Sequence, residues 1–130
     1  LPQEDYDATI WLSGQNLSDA VCINVDEIGA WIYPLTGIPA SNARIAATGF
    51  AYGLPERIRI DPGNSTVVGE LRSIGHENVL IYVSSVSLLR PGHTPPFAGH
   101  GPFPLLNLSY PEEVYELLYD KGARIYRVRT

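Results

Sequence analysis

Short apolar segments, each ended by a turn signal after 8 to 12 residues, constrain the fold of this sequence more than any other feature. Such spacing is typical of an all-β sandwich or barrel, in which each strand is brief and the chain reverses at its end. No internal repeat or domain boundary interrupts it, and 130 residues is the size of one ordinary domain. The sequence therefore predicts a single, mainly β domain over residues 1–130, folded as an antiparallel sandwich or small barrel.

Eight segments are predicted to form the strands. Arg57–Ile60 gives the clearest signal, because charged and aliphatic residues alternate and one face of the strand would be wet and the other buried. The longest run ends at Leu89, and its apolar positions change phase at Ser84 and Ser85, which predicts a β-bulge there. The predicted strands are 7–12, 20–25, 30–35, 43–52, 57–60, 66–71, 78–89 and 123–128.

One segment near the C-terminal end has the pattern of an α-helix. Ser109 and Glu112 have the spacing of a capping box, and Gly122 suits the left-handed position that ends a helix. The apolar stripe between them has i, i+3, i+4 spacing: Val114, Leu117 and Leu118. The sequence therefore predicts one C-terminal α-helix over about 110–121, followed by the final strand.

Composition excludes several classes of protein. A hydrophobic content of 45% is too high for a disordered chain. A net charge of −5 argues against a nucleic-acid partner, because a protein that neutralises phosphates needs a basic face. No apolar run approaches the roughly 20 residues that span a bilayer, so no transmembrane segment is predicted.

Three glycosylation acceptor sequences point to an extracellular or cell-surface setting. Asn16, Asn64 and Asn107 each begin an Asn-x-Ser or Asn-x-Thr sequence, and all three fall where turns are predicted. Asn and Ser are also common turn residues, which is the alternative explanation. The chain begins at Leu1 and contains no Met, which suggests an N-terminus made either by processing after export or by trimming.

The segment from residue 90 to residue 104 is the predicted ligand-binding loop, because long loops without regular structure are often functional. It carries five Pro and three Gly together with His93, Phe97, His100 and Phe103. Three interpretations stay open: an aromatic and imidazole ligand surface, a stiff crossover that pins its two Phe, and a metal site. No metal is predicted, since the spacing of the two His matches no established zinc pattern and the loop holds no Cys or acidic residue.

No pattern in the sequence predicts an enzyme or a cofactor. There is no nucleophile elbow, no phosphate-cradling glycine loop and no metalloprotease motif. Cys22 is the only cysteine and lies in an apolar strand-like run, so it is predicted to be a buried small hydrophobe. Trp11 and Trp31 also lie in strand-like runs, which favours a place in the core.

The function predicted from the sequence is a non-enzymatic extracellular module that binds a protein or glycan partner. Two alternatives stay open. One is a structural subunit that assembles with copies of itself by adding its N-terminal strand to a neighbour's sheet edge. The other is a small secreted hydrolase that works through His93 and His100.

Overall fold

The computed structural model describes residues 2–25, 31–42, 53–89 and 106–130. In these ranges helices and strands alternate along most of the chain. The helices are α1 (Gln3–Ser13), α2 (Ile32–Thr36), α3 (Leu54–Ile60), α4 (Ser65–Arg72) and α5 (Ser85–Leu89). The strands are β1 (Ala20–Asn24), β2 (Ala40–Asn42), β3 (Asn78–Val83), β4 (Tyr115–Asp120) and β5 (Arg124–Val128).

The five strands form one open sheet in the order β2-β1-β3-β5-β4. β1 runs parallel to β2 and to β3, with Cys22 opposite both Ala40 and Leu80. β5 runs antiparallel to β3 on one side and to β4 on the other. The sheet is therefore mixed and is covered by helices, and the prediction of a mainly β antiparallel sandwich or barrel is wrong.

Helices cover both faces of the sheet. On one face α1 and α2 bury Ala8, Leu12 and Ile32 against Leu80 and Tyr82 of β3. The opposite face is covered by α3 and α4, whose buried apolar side chains are Ile58, Val67, Val68 and Leu71. Because β3 is enclosed on both sides, all six of its residues are buried. Parallel strands in this position read as continuous apolar runs rather than as alternating ones.

The predicted N-terminal strand, 7–12, lies inside helix α1. The buried residues of α1 recur with helical spacing, at Asp5, Ala8, Thr9 and Leu12. Two of the four are polar, so hydrophobicity alone does not reveal the helical period. The predicted strand 30–35 is wrong in the same way, since its described part belongs to α2 and the residue before it.

The predicted strands 57–60 and 66–71 are the helices α3 and α4. Alternation in a strand would bury Ile58 and Ile60 on one face, but Ile58 is fully buried and Ile60 is 40% exposed. Asn64 begins α4, because its side-chain oxygen accepts hydrogen bonds from the backbone N–H groups of Thr66 (2.9 Å) and Val67 (3.3 Å). Asn64, which the sequence placed in a predicted turn, is therefore the N-cap of α4.

The predicted long strand 78–89 is two elements. β3 ends at Val83, and α5 begins at Ser85 after a sharp turn. The phase change at Ser84 and Ser85 therefore marks a strand-to-helix junction instead of a β-bulge. A strand-to-helix junction and a β-bulge both change the phase of the apolar positions, so the apolar pattern alone does not distinguish the two structures.

The predicted C-terminal helix, 110–121, is also wrong, because its second half is strand β4. Leu117, which the helical stripe would bury, is 49% exposed, whereas Tyr115 and Tyr119 are buried. An irregularity between Leu117 and Tyr119 shifts the register, so the two tyrosines enter the cores on opposite faces of the sheet. Pairing with β5 decides the structure here, and local helix propensity does not.

Two of the remaining predicted strands are strands in the structure. The predicted segment 20–25 contains strand β1, and the predicted final strand 123–128 contains β5. The predicted strand 43–52 lies outside the described residues.

Candidate functional site

The order of the parallel strands directs attention to one edge of the sheet. Successive connections from β1 lead to β2 on one side and back to β3 on the other, so the chain reverses direction between β1 and β3. In open α/β sheets, ligands bind outside the carboxyl ends of the strands at such a switch point. Val25 follows β1 at this edge, and Ser84 and Ser85 follow β3.

A buried carboxylate lies at this edge. Asp5 of α1 has no exposed surface. One of its oxygens accepts hydrogen bonds from the Tyr82 hydroxyl (2.5 Å) and from the backbone N–H of Ser85 (3.0 Å), and the other accepts from the Ser85 hydroxyl. The contacts join α1 to the end of β3 and to the start of α5, so this carboxylate connects three elements.

A buried guanidinium lies at the same edge on the opposite face of the sheet. Arg59 of α3 is 2% exposed. Its Nη1 donates to the backbone carbonyl of Val25 (3.2 Å) and to the hydroxyl of Ser87 (3.2 Å). The side chain therefore links α3 to the end of β1 and to α5.

These two groups hold the layers together at the switch point. A buried charge is stable only when neighbouring groups satisfy it, and both Asp5 and Arg59 have partners within the protein. Neither presents a polar atom to solvent. In the described part of this edge, these two charged groups therefore connect structural elements to one another.

The helices α1 and α2 carry most of the large apolar side chains that face solvent. Among the described residues, six large hydrophobic side chains are exposed, and four of them belong to this helix pair. We call these four the α1–α2 surface: Tyr6 (44% exposed), Ile10 (45%), Tyr33 (59%) and Leu35 (42%). The other two are far apart in the fold, Ile60 on α3 and Leu117 on β4.

Helix geometry places Tyr6 and Ile10 on the flank of α1 that faces α2. Thr9 marks this flank, because its hydroxyl accepts a hydrogen bond from the indole N–H of Trp31 (3.1 Å), the residue before α2. Tyr6 precedes Thr9 by three residues and Ile10 is four residues after Tyr6, so both lie beside Thr9 on the helix. The opposite flank carries Trp11, whose ring packs 5.1 Å from that of Tyr119.

The same geometry places Leu35 on the flank of α2 that faces α1. Leu35 lies one turn after Trp31, to whose carbonyl its backbone N–H donates (3.1 Å). The half-buried indole of Trp31 thus forms the floor of a seam, with Leu35 on one side and Ile10 on the other. Tyr33, two residues after Trp31, projects from the opposite side of α2. Exposed aromatic and aliphatic side chains of this kind can stack on sugars or anchor a protein interface.

The residues predicted to bind a ligand fall outside the described part of the chain. His93, Phe97, His100 and Phe103 all lie in the segment 90–105. Their roles therefore stay predictions, and so do the three interpretations of that loop.

The three predicted glycosylation sites all lie in described loops. Asn16 is exposed in the connection from α1 to β1. Asn64 is exposed and caps α4. Asn107 is half-buried, and its side-chain amide donates to the carbonyl of Ile60 (3.2 Å) at the end of α3. Asn64 and Asn107 thus lie on the face of the sheet covered by α3 and α4, away from the α1–α2 surface.

One polar pair was missed by the sequence reasoning. His76 Nδ1 lies 2.7 Å from a carboxylate oxygen of Asp19, across 57 residues of sequence. The backbone N–H of Glu77 and the hydrogen bond from His76 hold the pKa of the Asp19 carboxyl below its usual value. The pair joins the start of β1 to the turn before β3. No sequence motif connects the two residues, so only the parallel pairing of the strands reveals it.

Two further observations bear on chemistry. Among the described residues, no group of three His, Cys, Asp or Glu side chains could hold a metal ion. Cys22 is buried, as predicted, and its burial raises the pKa of the thiol to about 12. A thiol in this state is not a nucleophile at neutral pH.

Comparison with protein-family models, curated protein sequences and solved structures gives no match. The class of protein is therefore defined by the fold alone: an α/β domain with a five-stranded mixed sheet between two helical layers. None of the helices in the described ranges is long and apolar enough to cross a membrane.

Proposed function

We propose that this domain is a non-enzymatic binding module that recognises a protein or glycan partner through the α1–α2 surface. The observation that carries the proposal is that, among the residues the structure describes, four of the six exposed large hydrophobic side chains belong to one helix pair. Exposed apolar residues that cluster are typical of interaction sites, whereas isolated ones are normal on any surface.

The two buried charged groups described at the switch-point edge are not placed for acid–base chemistry. A general acid or base must reach a proton of the substrate within hydrogen-bond distance. Asp5 and Arg59 are almost fully buried and bonded to the protein, so neither reaches a solute in this structure.

We further propose that the domain acts outside the cell and is glycosylated. The three acceptor Asn residues all lie in loops, where attachment to a folded chain is possible. Glycans at Asn64 and Asn107 would lie on the α3 and α4 side, and a glycan at Asn16 would lie beyond the C-terminal end of α1. The structural alternative of self-assembly through an N-terminal strand is withdrawn, because residues 3–13 form helix α1.

A binding assay with matched variants tests the main proposal. The chain is passed over arrays of immobilised glycans and of peptides, and retention is measured for the wild type, Tyr6→Ser and Leu117→Ser. We expect Tyr6→Ser to weaken retention about tenfold or more, as is usual for a tyrosine anchor, because Tyr6 lies on the flank of α1 that faces α2. Leu117→Ser removes a similarly exposed side chain from the other face of the sheet and should leave retention unchanged. Equal retention of all three proteins would contradict the proposal.

Turnover assays address the hydrolase alternative. Chromogenic esters, phosphates and glycosides are incubated with the full chain, with His93→Ala and with His100→Ala. We expect no hydrolysis above the buffer rate. Turnover that either substitution abolishes would replace the binding proposal with an enzyme.

A further inference from the structure

The basic residues of this protein are distributed very unevenly along the chain. Residues 1–43 contain no Lys, Arg or His, so all nine Lys and Arg and all three His come later. The same segment holds six of the fourteen acidic residues: Glu4, Asp5, Asp7, Asp19, Asp26 and Glu27. Both helices of the α1–α2 surface belong to this segment. Asp5 is buried, so the exposed acids of α1 are Glu4 and Asp7, and neither helix has a basic side chain.

An exposed acid lies directly beside the apolar residues. Asp7 is exposed on the outer side of α1, three residues before Ile10 and therefore next to it on the helix. Burial raises the pKa of the Tyr119 phenol, and the negative charge of Asp7 raises it further, so Asp7 lies between Ile10 and the flank that carries Trp11. Its carboxylate also accepts a hydrogen bond from the side-chain amide of Gln3 (2.7 Å). Neither α1 nor α2 has a basic residue in its last turn, so the negative ends of both helix dipoles stay uncompensated by side chains of these helices.

Two described cations of the β4–β5 hairpin lie away from the α1–α2 surface. Arg127 on β5 donates to both carboxylate oxygens of Glu116 (2.5 and 3.0 Å). Lys121 lies in the turn between β4 and β5, where Gly122 packs against Glu4 on the flank of α1 away from α2. Within the described residues, apolar side chains therefore border the seam between α1 and α2, and Asp7 lies on the outer side of α1 next to it.

We propose that the α1–α2 surface binds a cationic amphipathic segment of a partner protein. The inference rests on the proposed binding function and names the chemistry of its partner. Aliphatic side chains of the partner lie in the seam between Ile10 and Leu35, and Lys or Arg side chains beside them face Asp7. The eleven residues of α1 give a surface about 16 Å long, which matches about three turns of a partner helix.

Charge argues against two other occupants. A second copy of this chain would bring two acid-only surfaces together, and like charges at an interface oppose association. An anionic lipid surface would be repelled in the same way, since peripheral binding to it depends on Lys and Arg. A glycan partner is the remaining possibility, and the experiment below separates it.

Peptides of defined charge provide the test. Two peptides of about 14 residues are made with the same helical pattern of Leu, one with Lys and the other with Glu at the polar positions. Binding to the full chain is measured by calorimetry at low and at high salt. We expect the Leu–Lys peptide to bind, more weakly as salt rises, and the Leu–Glu peptide not to bind.

Matched variants assign the binding to this surface. Ile10→Ser should lower the affinity for the Leu–Lys peptide about tenfold, and Asp7→Lys should lower it at least about fivefold. Leu117→Ser and Glu113→Lys make the same changes of polarity and of net charge at exposed positions on other elements, and should change the affinity less than about twofold. Circular dichroism confirms that each variant is folded.

The outcomes separate this inference from the proposed function. Equal binding of the two peptides, no binding of either, or equal effects of Asp7→Lys and Glu113→Lys would each overturn the inference. Retention on glycans that depends on Tyr6, without binding of the Leu–Lys peptide, would also overturn it while the binding function stood. The absence of any Tyr6 effect on both arrays would remove the binding function itself.

Discussion

At the residue scale, the side chains that matter most for the fold are polar and buried. Asp5 and Arg59 each connect three elements at the carboxyl ends of the parallel strands. Their residue types suggest surface positions, because Asp and Arg are almost never fully buried unless they are paired. The sequence could not reveal their partners, which lie 77 to 80 residues away for Asp5 and 28 to 34 for Arg59.

Substitution of Asp5 should destabilise the protein strongly. Asp5→Asn removes the charge that accepts from Tyr82 and Ser85, and we expect a loss of about 2 to 3 kcal/mol in the free energy of unfolding. Tyr82→Phe removes one donor and should cost about 1 kcal/mol. Urea titration followed by fluorescence measures both values.

The control for this prediction is Asp7→Asn, an exposed acid on the same helix, which should change stability by less than about 0.5 kcal/mol. If Asp5→Asn were as mild as Asp7→Asn, the buried network would have no structural role.

The single thiol should be inert in the folded protein. Burial raises the pKa of Cys22 to about 12, so almost no thiolate exists at pH 8, and the side chain is 1% exposed. We expect iodoacetamide at pH 8 to modify Cys22 slowly in buffer and rapidly in denaturing urea, as measured by intact mass. Fast modification without urea would show that β1 opens readily.

At the element scale, tertiary contacts decide between helix and strand. The segments 57–60 and 66–71 have few residues, and apolar runs of this length fit either structure. Both segments belong to the connection that leads from β2 to β3 across one face of the sheet. Connections of this kind between parallel strands usually contain helices, so both segments are helical. Local signals did exist for α4, because Asn64 is an N-cap residue followed by Val67, Val68 and Leu71 at helical spacing.

A close contact between elements occurs where the turn joining β4 and β5 meets α1. Gly122 has a φ of +83°, and a Cβ there would lie 2.7 Å from Cγ and 3.1 Å from Cβ of Glu4. Gly75 has a similar φ of +84° but open space around it, which makes it a matched control.

Alanine substitution at the two glycines should separate backbone strain from this contact. We expect Gly75→Ala to cost about 1 kcal/mol for the left-handed conformation alone. Gly122→Ala should cost about 1 kcal/mol more, since Glu4 and the start of α1 must move. Equal losses of unfolding free energy in urea would mean that the turn and α1 do not pack as described.

At the scale of the whole molecule, strand β5 contributes side chains to both hydrophobic cores. It lies between β3 and β4, so the last part of the chain completes a sheet begun by β1. Ile125 enters the core under α1, and Tyr126 enters the opposite core, where its ring stacks 4.3 Å from that of Tyr110. Both cores therefore depend on a strand whose pairing with β3 joins distant segments of the chain.

Removal of β5 should abolish cooperative folding. A chain that ends at Ala123 leaves β4 without a partner strand and opens both cores, and we expect it to lose its sigmoidal thermal transition in circular dichroism. Deletion of the exposed Thr130 alone should preserve the transition. A sharp transition in the shorter chain would show that β1, β3 and their helices fold independently.

The sequence by itself determined the local features of this protein. It located the strand-forming segments that contain β1 and β5, the buried thiol of Cys22 and the loop positions of Asn16, Asn64 and Asn107. These follow from properties of single residues and their neighbours, such as the turn chemistry of Gly, Pro and Asn. A glycine with positive φ was likewise expected at Gly122, although it lies in a hairpin rather than at a helix end.

Only the tertiary structure decided which apolar runs became helices and where the candidate surface lies. Short runs take the structure that buries them best, and burial here depends on a mixed sheet whose partners are far apart in sequence. The α1–α2 surface exists because the indole of Trp31 bonds to Thr9 and brings two helices side by side. No local pattern predicts that contact. The contact brings exposed apolar residues of the two helices together, with the carboxylate of Asp7 nearby.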